Sequence, residues 1–265
     1  MTAEPATLGR FAPAPGAAPM RRMIAAQAAL ETRTLLRNGE QLTLTLIIPL
    51  LLLVAFSKQK NLVDFGVGMS HVDFLTPGII ALAVMSTAFT SQAIATGFER
   101  RYGVLKRLGA TPLSRAGLIT AKTVTVIAVE LLQAVIIMAV AFGLGWSPDA
   151  SLTAIVTVPL LVLLGTAAFS GFALLMAGTL RAEATLAAAN LVYVVLLGIG
   201  GVVFPLTKFP AGARSFLQLL PTGALSTGLR DVLAGAAGLP VRDTVTLAVW
   251  AIAGIALAAR AFRWE

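Results

Sequence analysis

The 265-residue chain has no cysteine and one histidine. It can form no disulfide bond, and it has neither a thiol nucleophile nor a cysteine ligand for a metal ion. The histidine, His71, lies in a stretch that we predict to be a loop, where a lone imidazole is usually solvated. We therefore expect no catalytic residue and no metal site in this chain.

Charge is also scarce. Charged residues make up 12% of the chain and hydrophobic residues 57%, whereas soluble domains carry about 25% charged residues. Aromatic residues are few, and abundant small residues let membrane helices approach closely. The net charge of +8 comes from cations that flank apolar runs, where topology rules place them. This composition predicts an integral membrane protein and gives no reason to expect a nucleic-acid partner.

Motifs of ATP-binding and hydrolytic proteins are missing as well. The nearest match to a phosphate-binding loop, residues 116–123, has alanine at both glycine positions, and those glycines form the backbone cradle of such a loop. The chain contains no HExxH motif and no G-x-S-x-G motif. We therefore predict that the chain is not an enzyme and binds no cofactor itself.

Six apolar runs occupy most of the chain. Each provides, or nearly provides, the ~20 residues that a bilayer requires, and each is continuously apolar, which favours helices. The sequence therefore predicts an all-α polytopic membrane protein with six transmembrane helices. The predicted spans are residues 41–57, 75–97, 118–145, 152–180, 186–206 and 244–259.

Two further segments precede the first span. Residues 1–19 are rich in proline and alanine, which predicts a disordered cytoplasmic tail. Residues 20–38 have a basic face, which predicts an interfacial amphipathic helix on the inner leaflet; residues 39–265 form the transmembrane domain. Glu31 lies on the apolar side of this helix, so either it pairs with a partner protein or the helix is imperfect.

Lysine and arginine are most frequent on the side that holds both termini, which the positive-inside rule places in the cytoplasm. The composition suggests a bacterial protein, and hence the inner membrane. On the outer side, residues 207–243 contain short semi-apolar helical pieces that Pro221, Gly223 and Gly228 should interrupt. These pieces are too short to span, so we expect re-entrant or interfacial helices between spans five and six.

The most charged stretch, 97–115, lies between spans two and three. As one helix it would place Phe98, Tyr102 and Leu105 on an apolar face, and Gly109, followed by a proline, should end it. The opposite face would carry Glu99, Arg100, Lys106 and Arg107. Such a helix is suited to docking another protein; the alternative is that its cations only anchor the membrane topology.

Glu130 and Gln133 are polar residues inside the third predicted span. A carboxyl group in a membrane is costly and is therefore a candidate functional group. Two roles remain open for this pair: fixing the packing of helices, or handling a substrate or a proton.

Two segments, 97–115 and 220–231, together with the six spans, resemble the membrane subunit of ABC-2 transporters, particularly the daunorubicin/doxorubicin-resistance type of antibiotic exporter. The first segment fits the family pattern G-x-E-x-x-x-G-x-x-x-x-L-x-x-T-P. The resemblance runs from Met20 to the C-terminus. It implies a homodimer or heterodimer of permease subunits, surrounded by membrane lipids, that works with a separate cytoplasmic ABC ATPase carrying ATP and Mg²⁺.

The resemblance further implies that the chain exports a hydrophobic or amphiphilic substrate, such as a drug, an antibiotic or a lipid. A non-exporting permease for lipid flipping or cofactor maturation is an alternative, and an intramembrane enzyme or receptor is another. Residues 98–109 would be the coupling helix, contacting the ATPase through Phe98, Glu99, Arg100, Arg101, Tyr102, Leu105, Arg107 and Leu108. The substrate pathway would be lined by Phe89, Thr90, Gln92, Asn190 and Tyr193.

Overall fold

The computed structural model describes residues 16–39, 43–58, 70–235 and 238–262. Within these ranges the regular structure is helical, without a strand, which confirms the predicted all-α class. Most of the predicted tail, 1–19, lies outside the described residues. The helices are α1 Met20–Arg37, α2 Ile48–Lys58, α3 His71–Arg101, α4 Val104–Gly109, α5 Arg115–Gly143, α6 Leu152–Thr179, α7 Ala182–Ile199, α8 Ala211–Leu217, α9 Pro221–Leu233 and α10 Val241–Ala261.

Five helices, α3, α5, α6, α7 and α10, are long and apolar enough to cross a membrane. They coincide with predicted spans two to six, and α5 and α6 match the predicted bounds within a few residues. The predicted first span, 41–57, begins outside the described residues. Its described part consists of a π-helical turn, Thr43–Ile47, and α2, an apolar helix shorter than the other five.

The start of α3 differs from the prediction. His71 is the first residue of this helix, so its placement in a loop was wrong. The Ser70 hydroxyl accepts a hydrogen bond from the backbone N–H of Asp73 at 3.1 Å, which is a typical cap for a helix N-terminus. The cap therefore extends the helix by a full turn beyond the apolar run.

The end of α7 also differs, because the predicted run 186–206 continues past the last helical residue, Ile199. Gly201, two residues later, has φ of +70°, in the left-handed region that favours glycine. The following apolar residues, including Val202 and Val203, are buried in the core without being helical. Hydrophobicity alone therefore overestimated the length of this helix.

Helix α3 forms the centre of the protein. In its most apolar 18-residue stretch, 94% of the residues are buried, whereas 22% are buried in the corresponding stretches of α7 and α10. Residues Ser86–Ser91 of α3 form a π-helical segment, and all of them are buried. Single π-helical turns inside α-helices are frequent at functional sites. Because α3 is buried and α7 and α10 are largely not, the other spans surround α3 and leave apolar faces toward the lipid.

The closest helix pair is α6 with α10. A Cβ atom placed on Gly171 would lie 2.6 Å from the carbonyl carbon of Gly254, so the two backbones touch only because both residues lack side chains. Small residues allow this approach between membrane helices, where dispersion contacts replace the hydrophobic effect as the main source of attraction. The two helices therefore pack directly against each other at these glycines.

Helices α8 and α9 form the connection before α10. Pro221 begins α9, as its missing N–H allows, but Gly223 and Gly228 lie inside the helix and do not interrupt it. They are needed for packing instead, because a Cβ on Gly228 would come within 3.2 Å of Asp243 and Leu161 side-chain atoms. With 13 residues, α9 is about 20 Å long and too short to span a bilayer.

Arg230 fixes α9 to the start of α3. Its guanidinium donates hydrogen bonds to the carbonyl oxygens of Phe74 at 2.9 Å and Val202 at 2.8 Å. The same group lies 3.9 Å from the centroid of the Phe74 ring, within the range of a cation–π contact. One side chain thus joins α9, the start of α3 and the segment after α7.

We expect the substitution Gly171→Ala to destabilise the protein by about 1–3 kcal/mol, the usual effect of inserting a methyl group into a closed contact. Gly198→Ala is the matched control, because Gly198 is also helical but has open space around it. Thermal unfolding in detergent should show a lower midpoint for Gly171→Ala than for the wild type. The midpoint of Gly198→Ala should not fall. Equal midpoints for both variants would contradict the close α6–α10 contact.

Candidate coupling site

The predicted helix 98–109 is interrupted. Helix α3 ends at Arg101, and α4 begins at Val104 after Gly103, whose φ is +69°. The prediction of one continuous helix was therefore wrong, because a glycine in the left-handed conformation ends a helix. The predicted end at Gly109 is correct.

The break separates the predicted apolar face into two parts. The rings of Phe98 and Tyr102 lie 6.0 Å apart and are stacked. Leu105, by contrast, belongs to α4 and is only 2% exposed, so it anchors α4 to the rest of the chain. Leu108 is half-buried. Leu105 is therefore not available to a partner, although the sequence placed it on a docking face.

A different set of side chains faces outward. Tyr102 is 61% exposed. Three nearby residues of α4 are also exposed, the apolar Val104 and the basic Lys106 and Arg107. Arg107 also donates a hydrogen bond to the carbonyl oxygen of Tyr102 at 3.3 Å, which spans the turn. We call these four residues, 102, 104, 106 and 107, the α4 surface.

Glu99 faces the interior instead. Its Oε2 lies 2.6 Å from Nζ of Lys122 in α5, and the same Nζ lies 3.5 Å from Oε1 of Glu31 in α1. The Lys122 side chain is only 7% exposed. Gln27 adds a hydrogen bond to Glu31 at 2.8 Å. Neither interpretation of Glu31 was therefore correct: it pairs within its own chain.

Arg100 and Arg101 join the end of α3 to the turn between α6 and α7. Arg100 donates a hydrogen bond to the carbonyl oxygen of Leu180, and Arg101 forms an ion pair with Glu183. Both contacts lie near the surface. Of the predicted coupling cations, these two are thus engaged within the chain, while Arg107 remains on the α4 surface.

The polar residues of α5 contact different neighbours. Glu130 is buried and accepts a hydrogen bond from Thr166 of α6 at 2.7 Å. Gln133 accepts one from Thr87 in the π-helical segment of α3 at 2.9 Å and donates one to the carbonyl oxygen of Thr45 at 2.9 Å. Gln133 therefore fixes helix packing. The second carboxyl oxygen of Glu130 has no hydrogen-bond partner among the described residues.

The predicted pathway residues lie on two adjacent helices. Phe89, Thr90 and Gln92 are buried in or beside the π-helical segment, and Tyr193 of α7 is buried in the same core as Phe89. Asn190 is half-buried. Among the described residues, the side-chain oxygens of Thr90, Gln92 and Tyr193 have no hydrogen-bond partner. The structure thus places these residues on neighbouring helices without assigning them a role.

Lys122 is the residue that the sequence interpretation missed. It lies inside the predicted span 118–145, and the structure places its ammonium group between two carboxylates. A signal was present, because a lysine inside a predicted span is costly and should have an acidic partner. Glu31, on the apolar side of the predicted interfacial helix, was the matching signal.

We expect Lys122→Met to destabilise the protein by up to about 3–5 kcal/mol, because it removes the buried counter-charge of two half-buried carboxylates. Arg101→Gln breaks an exposed ion pair and should cost about 0–1 kcal/mol. Unfolding in detergent measures both. Adding Glu31→Gln and Glu99→Gln to Lys122→Met should recover part of the loss, whereas no recovery would argue against charge pairing as its cause.

Comparison with known proteins agrees with the fold. The family model described as ABC-2 family transporter protein matches residues 21–260, which include the α4 surface and all but one terminal residue each of α1 and α10, together with the other four candidate spans. No curated protein matches the chain. Because the matched region covers nearly the whole sequence, the chain belongs to the ABC-2 family of membrane transporter proteins.

Proposed function

We propose that this chain is the permease subunit of an ATP-driven exporter and that a separate cytoplasmic ABC ATPase docks on the α4 surface. The observation that carries the proposal is the division of the 98–109 segment into an outward and an inward part. Tyr102, Val104, Lys106 and Arg107 are exposed, whereas Leu105 and Glu99 hold the segment to the spans. Members of the family normally work with an ATPase subunit.

Exposed aromatic and basic side chains fit such an interface. Tyrosine and arginine are enriched at the centres of protein–protein contacts, and cations on one partner select an acidic surface on the other. ATP and Mg²⁺ would be bound by the ATPase. The α4 surface would lie in the cytoplasm, at the inner membrane of a bacterium.

The inward contacts would carry movement from α4 into the membrane. A displacement of α4 would pass through the short turn at Gly103 to the end of α3. Lys122 joins this end to α5 and α1, Arg100 joins it to Leu180 at the end of α6, and Arg101 joins it to Glu183 of α7. A conformational change needs a partner that binds one state more tightly than the other. ATP-dependent contact with the α4 surface would supply that difference.

The cargo would pass beside the π-helical segment of α3, and a second permease subunit would complete the transporter. Thr90, Gln92 and Tyr193 present polar atoms that lack hydrogen-bond partners among the described residues, and apolar side chains of the core surround them. An apolar wall with a few hydrogen-bonding groups suits a hydrophobic or amphiphilic molecule, such as a drug of the daunorubicin type or a lipid. A non-exporting permease would retain the same ATPase contact and differ only in a transport assay.

The α4 surface can be tested by charge reversal. We expect Lys106→Glu with Arg107→Glu to reduce recovery of the ATPase with the tagged chain roughly tenfold or more, because like charges would face each other at the interface. Lys208→Glu with Arg242→Glu, on exposed residues far from α4, is the control with the same change in charge. Quantitative mass spectrometry of purified complexes and their ATPase rate provide the readouts. Unchanged recovery and rate in the first variant would sink the docking proposal.

A further inference from the structure

The carboxyl group of Glu130, in the middle of α5, takes no part in the proposed function. Its side chain is buried. Its Oε2 lies 2.7 Å from Oγ1 of Thr166 in α6, and its Oε1 has no hydrogen-bond partner among the described residues. An ionised carboxylate offers about four acceptor positions on its two oxygens, so this environment satisfies only a small part of what an ionised Glu130 would need.

Neither α6 nor the nearby part of α5 provides a counter-charge for Glu130. Helix α6 contains no charged residue. Along α5 the nearest charge is Lys122, which is about 12 Å away at the rise of an α-helix. The ammonium group of Lys122 is already shared by Glu31 and Glu99. It is therefore both distant from Glu130 and engaged elsewhere.

The other helices near α5 carry their charges at different depths. At the level of Glu130, α3 contributes Thr87, which bonds to Gln133 of α5. The α2 charge is its last residue, Lys58, the arginines of α1 are exposed, and Asp243 of α10 faces α9 and is itself acidic. The titratable residues of α3 lie roughly three helical turns or more from Thr87: His71, Asp73, Glu99, Arg100 and Arg101. An ionised Glu130 would thus lack a counter-charge among the described residues, which is strongly unfavourable inside a membrane.

The hydroxyl group of Thr166 lies between two oxygen atoms but carries a single hydrogen. Besides Oε2 of Glu130, the carbonyl oxygen of Val162 in the same helix lies 2.9 Å away. The positions of such hydrogens follow from the whole network of donors and acceptors. When Thr166 donates to Val162, its oxygen can accept a hydrogen bond from Glu130, and a carboxyl group can donate only when it is protonated.

We propose that Glu130 is a proton-binding site and that the bound proton links α5 to α6. The protonated Oε2 donates a hydrogen bond to Thr166, and Thr166 donates to Val162. Each hydrogen then has one acceptor, and the uncompensated charge disappears. A neutral carboxyl group is also less costly to leave partly unpaired than a carboxylate, which agrees with the unpaired Oε1.

This hydrogen bond lies at one end of a cavity between the two helices. The cavity has a volume of about 400–500 Å³ in order of magnitude, and residues of both helices line it: Ile119, Thr123 and Ile127 of α5, and Leu163, Thr166 and Ser170 of α6. Over this stretch α5 and α6 face a cavity, and the Glu130–Thr166 contact joins them just past Ile127. Loss of the proton would leave a carboxylate that needs water, which favours separation of the helices. The proposal does not depend on an ATPase partner.

The first test uses the full-length chain, purified in a non-ionic detergent at about pH 7, where an ordinary glutamate is ionised. Infrared spectroscopy detects the carbonyl stretch of a protonated carboxyl group. We expect a carbonyl band in the wild type that Glu130→Gln lacks, whereas Glu183→Gln, on an exposed carboxylate, should leave the band unchanged. Thr166→Val should keep the band but shift it to higher frequency, because the O–H loses its acceptor. An undiminished band in Glu130→Gln would overturn the proposal.

The second test measures the separation of α5 and α6. Because the chain has no native cysteine, spin labels can be placed at Ile119→Cys and Leu163→Cys, two exposed positions that line the cavity from opposite helices. Raising the pH should increase the distance between the labels, and adding Glu130→Gln, which cannot ionise, should preserve the shorter distance. An equal increase in both backgrounds, or no increase in either, would refute a link between the proton and the contact.

Discussion

Lys122 lies where α1, α3 and α5 meet, and its ammonium group is shared by Glu99 and Glu31. Transfer of an isolated charge into an apolar medium is strongly unfavourable, and only close pairing offsets the cost. The three side chains therefore depend on one another. Because each comes from a different helix, α1 cannot leave α5, and the end of α3 cannot separate from either, without exposing an unpaired charge in an apolar setting.

Polar contacts of this kind recur at three levels along α3. Near its end, Glu99 binds Lys122; in the middle, Thr87 binds Gln133; at its start, the carbonyl oxygen of Phe74 accepts a hydrogen bond from Arg230. Apolar packing between membrane helices is compatible with many rotations and shifts, because lipid is as apolar as the helix surface. Three polar contacts at different depths select one register for α3. The central helix is thus defined by few, specific interactions.

Much of this fold could be predicted from local sequence. Long apolar runs predict α5 and α6 nearly to the residue, and Gly109 correctly ends α4. Several predictions failed where a residue serves a distant contact. Gly228 looked like a helix breaker, yet it lies inside α9 because Leu161 and Asp243 leave no space for a side chain. Glu31 looked misplaced for the same reason, since its partner is 91 positions away in the sequence.

The charged segment shows why the exposure of residues 98–109 was predicted only in part. Topology rules explain why cations lie between α3 and α5, but they do not tell one arginine from the next. The left-handed turn at Gly103 makes that distinction. Before it, Arg100 and Arg101 point to the α6–α7 turn; after it, Lys106 and Arg107 are exposed. A helical wheel drawn through Gly103 mixes these two groups. A force applied to α4 would consequently act at one end of α3, where ion pairs and hydrogen bonds distribute it to α1, α5 and α7, and not at a single helix.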